Sequence, residues 1–432
     1  MKKIINILFI FSLILLLQSC TNYSAHKQSN KPTLSCIHIV DRNGMAETIS
    51  DQNQLDKLIK ADFESKQPYK QVTQIYKQDN QGKTISKITS YHPNGELFQL
   101  LEVKDGRANG KYTEWYDNGV MKIETKVIGG PGQLTPEAQE EWIFDGESKV
   151  WDKRGNCISI MHYSKGFLEG TSTYYFPSGK IQKAIPYSNG KIDGEVLEYN
   201  ENERLISKSN YKNNLLNEES RAFWNENTVK SIEYYEQGKL ITAQYFNKNS
   251  ELVASIEKGK GQKVLFHDNE LFQEIEFKKG EPNGKIKTYK NNQIYNVYSH
   301  KNGLKEGEEI IYYLNENPSK TTEEPSKKIS IAWKKGKVHG LVKTWYLNGK
   351  LESQKEYANN QKSGSSLAWY NNGSLMFIEE YEENLLTKGK YYKINDQDPI
   401  STINKGNGTA MLYDETGTFL QKIKYQKGVP VE

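Results

Sequence analysis

The side chains best equipped for chemistry in this 432-residue chain are seven histidines, three cysteines and a dense population of carboxylates. A catalytic or metal-binding histidine needs a partner at short, defined spacing, as in His-Glu-x-x-His or paired His/Cys ligands. His26, His38, His92, His162, His267, His300 and His339 are scattered, and none forms such a pair. His92, His267 and His300 fall at or beside positions that related segments fill with an aromatic ring, so imidazole stands in for a ring there. A phosphate cradle requires four residues between its glycines and Ser or Thr after its lysine. The stretch GEPNGKIK, residues 280–287, departs on both counts, with three residues between the glycines and Ile286 after the lysine. Gly-Lys-Gly at 259–261 and Gly-Asn-Gly at 406–408 are too short for a dinucleotide fingerprint, and no Gly-x-Ser-x-Gly elbow occurs. Carboxylates recur along the whole chain, so no pair stands out as acid and base. The expectation is a non-enzymatic protein with no catalytic residue, no cofactor, no metal and no small-molecule substrate.

Cys20 is different. Residues 1–20 read MKKIINILFIFSLILLLQSC: a positive start at Lys2 and Lys3, an apolar run from Ile4 to Leu17, then Gln-Ser-Cys. The run is short for a bilayer span and ends at a small residue, so residues 1–19 read as an export signal. Leu17, Ser19 and Cys20 resemble the bacterial lipobox, with leucine at −3 and a small residue at −1 before the cysteine. That resemblance implies cleavage before Cys20, a diacylglyceryl group on its sulfur and an acyl chain, such as palmitate, on its new amine. At about 0.8 kcal/mol per buried CH₂, several chains make attachment to membrane lipid effectively permanent. Thr21 is not the aspartate that commonly retains lipoproteins on an inner membrane, so in a Gram-negative host the periplasmic side of the outer membrane is favoured. Cys36 and Cys157 remain. An exported protein could pair them, closing a loop of about 120 residues. With two candidates and no local spacing, unpaired thiols are the expectation, and pairing stays open.

Positioning elements emerge from repetition. EWYDNGVMKIE (114–124), TWYLNGKLESQ (344–354) and AWYNNGSLMFI (368–378) share an aromatic pair, one free position, Asn-Gly, another free position and an apolar residue. HPNGEL at 92–97 and FPSGKI at 176–181 are variants, and Tyr199 with Asn202, Trp224 with Asn227, Phe246 with Asn249, Phe266 with Asn269 and Tyr392 with Asn395 are degenerate copies. A second landmark, [YF]-x-x-G-x-x-x-G, follows about a dozen residues later. Its glycines include Gly106 and Gly110, Gly190 and Gly194, Gly280 and Gly284, and Gly336 and Gly340. Gly95 to Gly119, Gly155 to Gly179 and Gly349 to Gly373 are each 24 residues apart. A fixed period of this size marks a stacked array, here of roughly fifteen units.

Each unit reads as a hairpin. Asn-Gly is a strong turn signal because both residues tolerate positive φ, as two-residue hairpin turns require. In KLESQKEY, residues 350–357, Leu351, Ser353, Lys355 and Tyr357 share one face while Glu352, Gln354 and Glu356 share the other, a strand period. One hairpin alone is unstable, but stacked neighbours pair backbones and align their rings. The composition agrees: apolar residues are only 36% of the chain, yet there are 28 Tyr and 7 Trp, which suits a thin fold covered by large amphipathic rings. Net charge is +4 with alternating signs, lacking the basic stripe of a nucleic-acid binder.

The pattern Y-x-N-G-x-[LKM] followed by Y-x-x-G-x-x-x-G closely resembles the bacterial variant of the MORN repeat, found in exported lipoproteins and in proteins often labelled antitoxin-like. The resemblance implies a mainly β fold, an elongated antiparallel hairpin array. It brings neither enzymatic nor kinase residues with it. The expected organisation is a signal peptide at 1–19, a polar tether at 20–33, a small α+β cap at 34–72 and the array at 73–432. In the cap, Ser50 or Asp51 would open one short helix presenting Leu55, Leu58 and Ile59. Insertions at 129–141 and 315–328, rich in polar residues with Gly or Pro, read as surface loops. Such an array suits a scaffold with a protein partner whose identity the residues do not specify. The alternatives are an envelope-carbohydrate-binding module using exposed Tyr and Trp rows, or an antitoxin-like inhibitor.

Overall fold

A computed structural model describes residues 33–78, 81–267, 270–315 and 325–431. The signal peptide, Cys20, His26, nearly all of the tether and most of the 315–328 insertion lie outside the described residues. The chain divides into two compact units, residues 1–215 and 216–432.

In the first unit, Thr33–Asp41 pairs with Ala46–Ile49 on one side and Lys70–Gln78 on the other. Between them runs the helix Gln52–Leu58, opened by Asp51, whose carboxylate accepts from the Gln54 amide. Leu55 from this helix packs with Ile37, Ile49 and Phe63, while Ile59 is exposed. From Lys70–Gln78 onward the chain is a meander in which each strand pairs antiparallel with the next, through Thr84–Tyr91, Leu97–Lys104, Arg107–Trp115 and Met121–Gly129. It resumes after the first insertion with Gly146–Trp151 and continues through Cys157–Ser164, Gly170–Tyr175, Ile181–Ser188 and Gly194–Tyr199 to Leu205–Lys212. The second unit repeats the plan from Leu215–Asn225 to Val429–Val431, every described pairing antiparallel. The fold is thus the expected antiparallel hairpin array with a small α+β cap. Its apolar cores are correspondingly small and separate: one around Leu101, Ala108 and Val127, another around Leu240, Tyr245 and Ile256, a third around Leu386, Tyr391 and Ile403.

Turn chemistry differs from the expectation. At Asn-Gly only the glycine has positive φ, +88° at Gly95, +80° at Gly119 and +81° at Gly349. The Gly119 amide donates to the Tyr116 carbonyl at 3.0 Å and Tyr116 to the Val120 carbonyl at 2.8 Å, which is a type I turn closed by a glycine bulge. Asparagine stays right-handed because its side chain is occupied: Asn118 Oδ1 accepts from the Val120 amide at 3.1 Å. Turns with both residues at positive φ occur instead at the second landmark, as in Asn189 (+48°) with Gly190 (+74°) and Asn359 (+51°) with Asn360 (+72°). The two turn types alternate along much of the meander, but three successive turns of the second kind occur at Lys279 with Gly280, Asn291 with Asn292 and Asn302 with Gly303. The second glycine of that landmark sits in a bulge: Lys111 and Lys285, next to Gly110 and Gly284, donate their amides to Glu102 and Glu276. A Cβ at either glycine would collide with that carboxylate.

The 129–141 insertion is more than a surface loop. Thr135 caps a helix at Pro136–Glu140, Leu134 packs against the nearby core, and buried Trp142 donates through Nε1 to the Pro131 carbonyl at 2.9 Å. A ring that needs both burial and a partner pulled the segment inward.

Candidate functional site

The aromatic pair in the repeat has a physical task. Tyr346 donates its hydroxyl to the Trp369 carbonyl at 2.7 Å, and Tyr370 donates to the Tyr392 carbonyl at 2.6 Å. Tyr313 does the same to Trp345 at 2.7 Å, and Tyr116 to Trp151 at 2.9 Å. The second ring of each pair is therefore a strut reaching one repeat forward, and the first residue of the next pair supplies the carbonyl. His92 occupies the strut position and contacts the Trp115 carbonyl through Nε2 at 2.9 Å, so imidazole replaces not only the ring but its hydrogen bond. Asparagines run a parallel line of ties: Asn94 to the Asp117 carbonyl, Asn118 to the Lys153 carbonyl, Asn372 to Asn395 Oδ1. Burial pushes the Tyr346 and Tyr370 hydroxyls up to about 12.

In the degenerate copies the turn starts one residue later than the aromatic. Asn200 and Asn247 occupy the strut position and spend their side chains on their own turns, accepting from Asn202 and Arg204 and from Asn249 and Glu251. Asp152 and Asp414 do likewise. Tyr199 and Phe246 are thus not struts, and Phe246 supplies its carbonyl to Trp224 Nε1 at 3.0 Å.

A second set of groups lies on the strand faces. Glu233, buried, accepts from Tyr245 at 2.7 Å and Tyr235 at 2.8 Å and pairs with Lys263 at 2.7 Å. Burial alone would raise its pKa; the Lys263 charge and these hydrogen bonds outweigh that and hold the carboxyl below its ordinary value. Glu309 is held low against burial by Lys305, Asn296 and Trp333. Glu379 receives Tyr391 and Tyr381, and Glu114 receives Tyr112. Burial and the adjoining carboxylate push the hydroxyls of Tyr112, Tyr245 and Tyr391 far above the normal phenol range. Glu114, Glu233 and Glu379, which the sequence presents as a solvated face, are individually caged by phenols, and Glu309 by Lys305, Asn296 and Trp333; tyrosines two residues from a glutamate are the signal that could have found the first three. Caged one at a time, they are not paired as acid and base.

The remaining candidates stay apart. Cys36 is buried and Cys157 half-buried, and they are not bridged. Burial raises the Cys157 thiol above its usual value. Gly259, Gly280 and Gly406 lie in the two-residue turns and Gly284 in its bulge. Among the described residues no cluster of three or more His, Cys, Asp or Glu could hold a metal ion. Among the described residues Tyr and Trp form no exposed rows: Trp142 is buried, the other six Trp are half-buried, and the exposed tyrosines Tyr69, Tyr234 and Tyr295 are scattered.

At one junction without a strut the surface forms a trough. Phe176 sits in the strut position without a hydroxyl, and Asn200 follows it. Between them lies a trough of about 610 Å³ floored by Tyr174, Phe176, Tyr199 and Ile185 and edged by Gln182, Lys183, Glu198 and Asn200.

No curated protein matches the chain. The MORN repeat variant matches it at four places, residues 108–126, 168–189, 192–213 and 338–359.

Proposed function

We propose that this chain is a lipid-anchored, non-enzymatic scaffold of the cell envelope, held to membrane lipid through Cys20 and presenting its MORN-variant repeats to a protein partner. What supports the reading most is the strut: a repeated tyrosine hydroxyl is spent on holding the next repeat, so the conspicuous residues of the repeat serve rigidity and reach. A protein built this way offers a regular, repeated surface for contact more readily than an enclosed pocket. The leader and the lipobox-like Leu17, Ser19 and Cys20 support export and acylation. Thr21 supports the periplasm-facing outer membrane if the host is Gram-negative.

Fractionation of cells expressing the full chain and the Cys20→Ser variant tests the anchor. The native chain is expected in the detergent-soluble membrane fraction and the variant in the soluble fraction. Retention of the variant in membranes overturns the anchor. Crosslinking in the intact envelope tests the scaffold: a discrete protein adduct that disappears when residues 338–359 are replaced is the expected outcome, and the absence of any adduct counts against it.

A further inference from the structure

We propose that the trough between the turns at Phe176 and Asn200 is a binding site for a neutral oligosaccharide. It exists because the tie that closes other repeats is missing. Phe176 starts its turn with the same backbone bonds as Tyr116, its amide donating to Lys180 at 2.8 Å, but it carries no hydroxyl to send to Tyr199. Lys180 bridges only the outer rim, its Nζ reaching the Glu201 carbonyl at 3.2 Å. The gap beneath is lined by the aromatic residues Tyr174, Phe176 and Tyr199.

The polar groups define the ligand. Tyr174, Lys183, Glu198 and Ser207 form one row across four strands, in register. Lys183 and Glu198 form an ion pair, and Ser207 donates to Glu198 at 2.9 Å. That pairing cancels charge along the row, and Glu201, the other acid of the lining, stands beside Lys180 at the rim, so neither an anion nor a cation is strongly favoured. Both groups, some 37% exposed, keep unused hydrogen-bonding capacity toward solvent. Gln182 adds a carboxamide at the edge, and Asn200, whose Oδ1 is taken by its own turn, adds its Nδ2. Rings for apolar C–H faces, with amides and a neutralised ion pair for hydroxyls, describe a hexose or N-acetylhexosamine chain. This site goes beyond the scaffold reading and does not depend on it; it also replaces the expected rows of exposed Tyr and Trp by one local platform.

Isothermal titration of the purified chain, residues 21–432, with chitotetraose, cellotetraose and maltotetraose tests the assignment. At least one is expected to give a saturable isotherm. Gln182→Ala, which alters an exposed side chain, and Tyr174→Leu, which removes a platform ring, are each expected to weaken binding at least fivefold at unchanged melting temperature. Tyr234→Ala, an exposed ring outside the trough, is expected to leave affinity unchanged. Absence of heat with all three sugars overturns the proposal, as does equal binding by the trough variants, or equal loss in Tyr234→Ala.

Discussion

Removing one oxygen atom, by Tyr370→Phe, isolates the strut. The Tyr370 ring is fully buried and its hydroxyl lies 2.6 Å from the Tyr392 carbonyl, so packing is preserved while the hydrogen bond is lost. A net hydrogen bond contributes about 0.5–1.5 kcal/mol, and leaving its acceptor orphaned raises the cost toward about 3 kcal/mol. Tyr370 lies at a repeat junction, and in an array stability is a sum of unit and neighbour terms, so the loss should be local. A global melting curve would dilute it. Native-state hydrogen exchange read peptide by peptide is the better assay: a loss of about 1–2 kcal/mol accelerates exchange roughly 5- to 30-fold where opening is limiting. Amides between 370 and 395 should accelerate, and those between 84 and 129 should not. Unchanged exchange around 370–395, or acceleration spread evenly over both units, would refute the strut as the device joining repeats.

The reverse change, Phe176→Tyr, should place a hydroxyl toward the Tyr199 carbonyl and slow exchange across 176–204, gaining about 0.5–1 kcal/mol; faster exchange there would show that the gap cannot accept the strut. Gly349→Ala and Gly284→Ala separate two uses of glycine in urea denaturation. The first, at φ +81° with open space around it, should cost about 1–2 kcal/mol, whereas the second, at φ +129° and colliding with Glu276, should cost more. Acid should weaken the second unit: Glu233 and Glu309 have folded pKa values below their unfolded ones, so their stabilisation is present above about pH 4.3 and is lost as pH falls through the lowered folded values. Glu233→Gln should flatten that acid limb of the denaturation midpoint. Alkali acts oppositely on Tyr346 and Tyr370, whose folded pKa is pushed up to about 12: their contribution is intact below about pH 10 and falls as pH rises toward 12, visible as delayed phenolate absorbance.

The hairpin array was legible because its signals are local: period-two patterning and turn residues recur at fixed spacing. What escaped was set by side chains acting across units. Nothing in Trp-Tyr-x-Asn-Gly shows that the tyrosine bonds forward to a carbonyl some 23 residues away, as Tyr346 does to Trp369. Asn-Gly misled about turn type for a related reason, since Asn118 satisfies its own turn and ties to Lys153, removing the need for positive φ. The degenerate copies looked in phase because Tyr199 and Phe246 are aromatic, yet the turn-forming residues are Asn200 and Asn247. The candidate trough was illegible for the same reason: it is defined by a missing bond, and Phe176 looks like a conservative change until the lost hydroxyl is traced to its acceptor. Inspection of sequence singles out Cys20 because its motif is contiguous, whereas a site formed by four strands in register leaves no such mark.

Two ways of finishing the same turn give the array its variation. With tyrosine in the strut position, asparagine two residues later caps the turn and the hydroxyl is available to the neighbour; with aspartate or asparagine there, that side chain caps its own turn instead, and at Asn225 it is the preceding Trp224 that reaches forward, through Nε1 to the Phe246 carbonyl. Consecutive tyrosine struts, as at Tyr313, Tyr346 and Tyr370, tie three successive junctions, whereas Phe176 and Asn200 in succession leave one open with rings beneath it. A scaffold needs the first arrangement for stiffness. The proposed ligand site uses the second, the open junction between Phe176 and Asn200. Exchanging the two chemistries at a single position, Phe176 or Tyr370, should therefore move rigidity and surface access in opposite directions, which makes the strut position the place where this repeat trades one for the other.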